Sequence, residues 1–324
     1  MRFAAIARSG QKRHFFGFIL MNSSIRNSSS AGHRRPIHRE PEAHVAYLFR
    51  KLARMLRANR TSPDAKSVHQ LRTTVRRIET FAASVGVSEG KGFSKFQKLL
   101  SEIFDKAGRV RDLDVQLEAL STISLPSVED DKTLLHNYLQ RQRVKRSRKL
   151  AETVDAEMMK RIPKRQRKAK LAVLQAVKEG PSARPVIDLK KEIVPFLEKL
   201  RANNFDTQTL HELRLDVKRV RYAAEAAGER GEEIVAMLKP VQDAIGNWHD
   251  WLNLIQTADK VLVPMHGHPL MTILRSKVRA RFSDAIASLK SLDERLTEVL
   301  QGNEAKKPGL VLVPVEKSLA ANAG

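Results

Sequence analysis

Apolar residues recur at three- and four-residue intervals along most of the chain, a period that predicts helices and not strands. Val45, Leu48, Leu52 and Leu56 mark one such face within Glu42–Arg60. Ser62-Pro63-Asp64 then reads as a helix start, with Pro63 at the first helical position, for a helix running to about Val85. Further helices are predicted over Phe93–Leu120, Lys132–Met159, Lys164–Lys178, Val186–Arg201, Thr207–Ala227, Glu232–Asp259 and Leu270–Leu300. Breaks are expected at Gly90, Gly92, Pro126, Pro163, Gly180-Pro181, Gly228 and between Pro264 and Pro269. Strand-like alternation is confined to Val311–Val315. The pattern predicts an all-α fold.

A repeat underlies these helices. Leu56-Arg57-Ala58-Asn59 returns as Leu200-Arg201-Ala202-Asn203. His69-x-Leu71-Arg72-x-x-Val75-Arg76-Arg77-Ile78 returns as His211-x-Leu213-Arg214-x-x-Val217-Lys218-Arg219-Val220. Gly108-x-x-x-Asp112 returns as Gly246-x-x-x-Asp250. Three blocks in one order, roughly 140 residues apart, point to a duplicated helical bundle, since the period is too long for a solenoid unit. The expected organisation is a helical domain over 41–300, with half one at about 41–160 and half two at about 181–300. Residues 1–40 read as a basic, disordered arm, with an Arg/Ser-rich presequence and a start at Met21 as competing readings. Residues 301–324 read as a disordered tail.

Charge changes the picture most. Lys and Arg outnumber Asp and Glu 59 to 36, a net +23 that calls for anionic partners such as nucleic acid, anionic membrane or polyphosphate. The absence of cysteine excludes disulfides and thiolate chemistry. No stretch approaches the roughly 20 apolar residues that span a bilayer.

The repeated helices concentrate that charge on one side. At about 100° per residue from His69, Arg72 falls near −60° and Arg76 near −20°. Leu71, Val75, Ile78, Ala82 and Val85 fall on the opposite side, between about 160° and 240°. His211, Arg214, Lys218, Arg221 and Tyr222 form the matching face of the second copy, opposite Leu213, Val217, Val220 and Ala224. Arg77 and Arg219 flank the two stripes. A solvated helix face is the ordinary meaning of a charge run. Here both copies keep like charges at i,i+4, each costing a helix ~0.2–0.5 kcal/mol, which argues for a bound anion. Glu225 also lies on the second face and is expected to orient a basic neighbour. Imidazoles beside phosphate take up protons more readily, so tighter binding is expected below about pH 6.5.

These blocks resemble the CHAD family, named for a conserved histidine α-helical domain. The resemblance rests on Val68–Arg77, on Gly108-Arg109-Val110-Arg111-Asp112-Leu113-Asp114-Val115 and on Leu210–Tyr222, and covers about residues 41 to 298. It implies two helical bundles related by a pseudo-twofold axis around a central basic cavity. It also implies binding of inorganic polyphosphate and a cytoplasmic protein associated with polyphosphate granules. By motif matching, His69, Arg72, Arg76, Arg77, His211, Arg214, Lys218, Arg219, Arg221 and Tyr222 inherit the binding role, with Arg111 and Asp112 as a positioning pair. Ala107 stands where the family usually has Leu, and the second block, Gly246-Asn247-Trp248-His249-Asp250, lacks a counterpart of Arg111.

Other chemistry finds little support. Relatives often carry a triphosphate-hydrolysing domain marked by Glu-x-Glu-x-Lys, a motif missing here, as are the Walker loop and the His-Glu-x-x-His helix. No catalytic residue or cofactor is predicted. His266 and His268 lie in a Pro/Gly loop without a nearby carboxylate and are not read as metal ligands. Arg50, Arg54 and Arg57 share a helix face and are auxiliary candidates, while Arg141–Lys170 is either a solvated connector or a second anion surface. The alternatives to polyphosphate binding are an RNA- or DNA-binding module and a granule-associated structural adaptor. Nucleic acid would call for aromatic stacking platforms, and Tyr222 is the one aromatic on these faces.

Overall fold

The computed structural model describes residues 41–124, 126–180, 188–202, 204–262 and 269–305. The predicted helix start at Val186, His266, His268, both termini and Val311–Val315 lie outside the described residues. The elements are α1 (Pro41–Thr61), α2 (Ala65–Ser84), α3 (Lys91–Ser121), α4 (Glu129–Thr153), α5 (Ala156–Glu179), α6 (Lys190–Ala202), α7 (Thr207–Ala226), α8 (Glu232–Val261) and α9 (Pro269–Ala305). The fold is all-α, as its periodicity predicted.

Aspartate caps set the register of the two motif helices. Asp64 precedes α2 and accepts from Ser67 N at 2.7 Å, so the cap falls after Pro63 and not on Ser62. Asp206 does the same for α7, accepting from Thr209 N at 2.7 Å and completing a capping box. His69 and His211 thus stand at the same place in their helices, five residues after the cap.

The predicted break at Pro163 is corrected. The chain turns at Val154 and Asp155, where Asp155 caps α5 by accepting from Met158 N at 2.7 Å, and Pro163 lies inside that helix. Pro163, Pro195 and Pro240 all lie within continuous helices on exposed faces, where water can satisfy the carbonyl each proline leaves without an N–H.

Three apolar cores hold the helices. The first joins α1, α2 and the start of α3 to α5, through Leu52, Leu71, Phe93, Phe96, Ile162 and Val173. The second joins α6 through α9 around Phe196, Leu213, Trp248 and Leu289. The third belongs to neither half alone: Leu120, Leu135 and Leu139 pack with Trp251, Leu254 and Leu274 where α3, α4, α8 and α9 meet. Helix α5 is therefore more than a solvated connector. Arg143, from the basic run, is likewise a tie, donating to Asp114 Oδ1 at 2.8 Å and to the Pro63 carbonyl at 3.0 Å.

Asn59, from the first copy of its block, has a structural role. Fully buried, it donates to the Met55 carbonyl at 2.8 Å and the Ser67 carbonyl at 3.1 Å, pinning the end of α1 to the start of α2. Asn59→Ala should lower the unfolding free energy in urea titration by about 1–3 kcal/mol through the lost bonds and void. Its helical content should not change.

Candidate functional site

Helix α2 lays its polar face against α7, and not into open water. Arg76 Nη1 donates to the Tyr222 hydroxyl at 3.2 Å across that seam. Beside it opens a cavity of about 540 Å³. Its walls come from α2 (His69, Arg72, Thr73, Arg76, Arg77), α3 (Phe104, Arg111), α7 (Arg221, Tyr222, Glu225), His44 of α1 and Gln242 of α8.

Arg72 is the most constrained of these cations. At 7% exposure it donates from Nη1 to the Phe104 carbonyl at 2.9 Å, with its guanidinium carbon 4.2 Å from the Phe104 ring centroid. Arg76 approaches the same ring at 4.9 Å. Gly108 makes this possible, because a Cβ there would lie 2.7 Å from Arg72 Nη1. Burial lowers the Arg72 pKa to about 10, so it remains cationic at neutral pH. Arg111, also buried, lies 3.9 Å from Glu118.

Half two contributes a group that is more readily titrated. Lys218 is 3% exposed and its Nζ has no hydrogen-bond partner among the described residues. Burial, followed by repulsion from Arg214, Arg76 and Arg72, pushes it down to about 6. The rings of His211 and His249 stack at 5.9 Å, and His249 Nδ1 lies 3.0 Å from Asn253 Nδ2. Burial and the Arg214 charge bring His249 down to about 3. His69 and His211 are lowered for the same first reason, burial, with Arg111 and Arg214 respectively the leading neighbours. Burial raises Asp250 to about 7 and raises Asp112, with Arg214 and Arg72 respectively opposing most strongly. Asp112 is thus a carboxylate under the influence of arginines from both halves.

The predicted residues divide. His69, Arg72, Arg76, Arg77, Arg111, Arg221 and Tyr222 line one cavity. Arg214 and Lys218 lie buried beside it, while His211 faces His249 outside its lining. Arg219 turns away to Glu192 and Asp216, each at 3.2 Å. Arg221 is oriented by Glu225 at 2.8 Å, the arrangement expected for that acid, and also donates to Gln242 at 2.6 Å. Arg50, Arg54 and Arg57 are exposed on α1 and do not line the cavity. His44, Phe104 and Gln242 escaped the motif reading. So did His249, although the repeat places it at the position of Arg111. Among the described residues no group of three or more potential ligands could hold a metal, and no helix is long and apolar enough to cross a membrane.

Fold and site define an all-α domain whose two motif-bearing helices face each other beside a cationic cavity. The CHAD domain family model matches residues 43–259. The chain belongs to the CHAD domain family, of which polyphosphate binding is a known property. It is similar in fold to the crystallised CHAD domain from the plant Ricinus communis, with TM-score 0.50 and 18% identity, over 77% of this chain and 90% of that one. PptA from Streptomyces chartreusis aligns with TM-score 0.49 and 14% identity, over 81% of this chain and 98% of that one. No curated protein matches the chain in sequence.

The two repeated glycines should respond differently to a methyl group. Nothing lies within 4 Å of a Cβ at Gly246. Gly246→Ala should therefore stabilise α8 by about 0.5–1 kcal/mol in chemical denaturation, the ordinary helical gain. Gly108→Ala should forfeit that gain by displacing the Arg72 guanidinium from the Phe104 carbonyl.

Proposed function

We propose that the chain binds inorganic polyphosphate without catalysing its turnover, and that this binding associates it with polyphosphate granules in the cytoplasm. The observation that carries the reading is the gathering of Arg72, Arg76, Arg111, Arg214 and Lys218, all under a tenth exposed, at and beside one cavity of a CHAD-family chain. Like charges in a poorly hydrated seam repel. The fall of Lys218 from 10.5 to about 6 means its ammonium form is disfavoured there relative to water, by burial first and then by the neighbouring arginines. A phosphate chain in the cavity offsets that repulsion, and the helices hold the cations in place beforehand, so little side-chain freedom is lost on binding. Guanidinium forks add paired hydrogen bonds to phosphate oxygens.

Single-stranded nucleic acid fits less well. The Phe104 ring is already approached by two guanidiniums and the Tyr222 hydroxyl accepts from Arg76. The Phe104 ring is therefore not the open platform that sequence-tolerant strand binding uses.

Titration with long-chain polyphosphate and single-stranded RNA of matched charge, at two salt concentrations, tests the reading. Polyphosphate should bind more tightly, and its log affinity should fall with log salt at a slope of about −0.7 per neutralised phosphate, by analogy with single strands. Replacing Arg72, Arg76, Arg214 and Lys218 together by Ala should remove the preference while helicity persists. Equal affinity for RNA, or an unaffected variant, would reject the proposal.

Proton linkage gives a second test. An anion raises the depressed Lys218 pKa, so the complex binds more protons than the free protein at pH values above about 6. Affinity should therefore fall as pH rises from about 6 and level off below it, until the histidines add their protons. Calorimetry in buffers of different ionisation heat should show proton uptake at pH 7.5 for the native chain and less for Lys218→Met. No uptake in the native chain would rule out this coupling.

A further inference from the structure

A second concave surface lies between α3 and α5, apart from the residues that line the central cavity. Lys95 and Lys98, one helical turn apart on α3, face Arg161 and Arg165, one turn apart on α5, across a hollow of about 380 Å³ floored by Leu99 and Met158. All four cations are exposed, and none of their head groups makes an ion pair or hydrogen bond with a described residue. The one acid in the hollow, Glu102, is engaged by Lys106 at 2.9 Å. Toward α4 the adjoining hollow is balanced by Glu152, Asp155 and Glu157, so the cationic groove ends there.

Three observations separate this groove from the general basicity of the chain. Its positions are not repeated: the block offset carries Lys95, Lys98 and Glu102 to Glu233, Ala236 and Pro240, so the duplicated scaffold does not require it. Acidic residues are scarce in the flanking segments that could reach it, since residues 1–39 contain no acid and residues 306–324 hold three lysines and one glutamate. Finally, at about 100° per residue, Lys95, Leu99 and Glu102 lie across α3 from Phe104 and Arg111, which face the central cavity. Groove and cavity are therefore on opposite sides of one helix, about 10–12 Å across with its side chains.

We infer that the α3–α5 groove is a second polyphosphate-binding site, which makes the protein bivalent for the polymer. The inference rests on the central cavity being the first such site. Four unpaired cations in a concave setting match the closely spaced charges of a phosphate chain, and the apolar floor excludes water beneath it without adding a competing acceptor. Because α3 separates the sites, a short chain cannot occupy both. Two short chains, or two segments of a long one, can. A bivalent protein joined to a polymer with many binding segments builds a network, through effective concentration and without further contacts. The groove would thus let the protein cross-link the polymer as well as hold it.

The test uses the full chain and polyphosphate of a defined length too short to reach around α3. Isothermal titration should give two short chains per native protein. A groove variant (Lys95→Glu, Lys98→Glu, Arg161→Glu, Arg165→Glu) should give one, and a cavity variant (Arg72→Ala with Arg76→Ala) should also give one. Circular dichroism checks that each variant stays helical, which the exposure of the four groove residues favours. With long-chain polyphosphate, light scattering should report large assemblies for the native protein and at least a tenfold loss of scattering for the groove variant. One short chain per native protein, or a groove variant that still takes two, overturns the inference. A groove variant that keeps the native stoichiometry while the cavity variant loses it overturns the groove alone. A cavity variant that keeps full short-chain binding, while the groove variant loses it, overturns the cavity reading instead. If the site lost in the groove variant prefers single-stranded RNA of equal charge, its assignment to polyphosphate is wrong.

Discussion

Arg72, Arg76, Arg214 and Lys218 share the seam between α2 and α7, each no more than 7% exposed. The three guanidiniums, charges of one sign held out of water, repel more strongly than on a surface because the screening solvent is gone, and burial together with their repulsion pushes Lys218 down to about 6. The remainder of the architecture can be understood as what keeps them there. Phe104 supports two guanidiniums, the Arg76–Tyr222 hydrogen bond ties α2 to α7, and the Asp112 and Asp250 carboxyls, coupled to Arg72 and Arg214, offer partial compensation. A buried set of cations is weak as a source of stability. The stability comes from the three apolar cores, and the site is a local cost that they sustain.

The helices were legible because each buries a stripe against a neighbour, and burial imposes a 3.6-residue period on the sequence. The faces carrying His69, Arg72 and Arg76 could be read for the same reason, as the complement of that stripe. What the pattern hid was that the complement is itself covered. A charged stripe opposite an apolar one looks solvated in one dimension, and only the packing of α2 on α7 closes it. Arg219 shows the opposite limit. It matches Arg77 in sequence, yet Glu192 of α6 and Asp216 draw it away from the site, and no local pattern encodes that competition.

Pro163 looks like a helix breaker in the sequence because that role assumes a carbonyl left without a partner. On an exposed face water supplies that partner, and the stronger local signal was the cap at Asp155. His249 was hidden by a change of residue type. Aligning the repeats places it where Arg111 stands, so a permanent cation in one half is replaced by an imidazole that burial keeps neutral in the other. The two copies of the block thus differ in charge at a position that is helical in both.

The third core has a consequence for timing. Trp251, Leu254, Leu135 and Leu139 lock the ends of α3, α4, α8 and α9 together, so the halves cannot swing apart without exposing that apolar surface to water. A hinge that opened and closed around a ligand is thereby disfavoured, and the walls of the cavity are set before any anion arrives. Capture then needs no slow rearrangement and is governed by diffusion in the field of a +23 chain. Release follows a different rule. A long polyanion held in the cavity would leave by successive detachment of its charges, so its residence time would grow with its length while its arrival hardly changed.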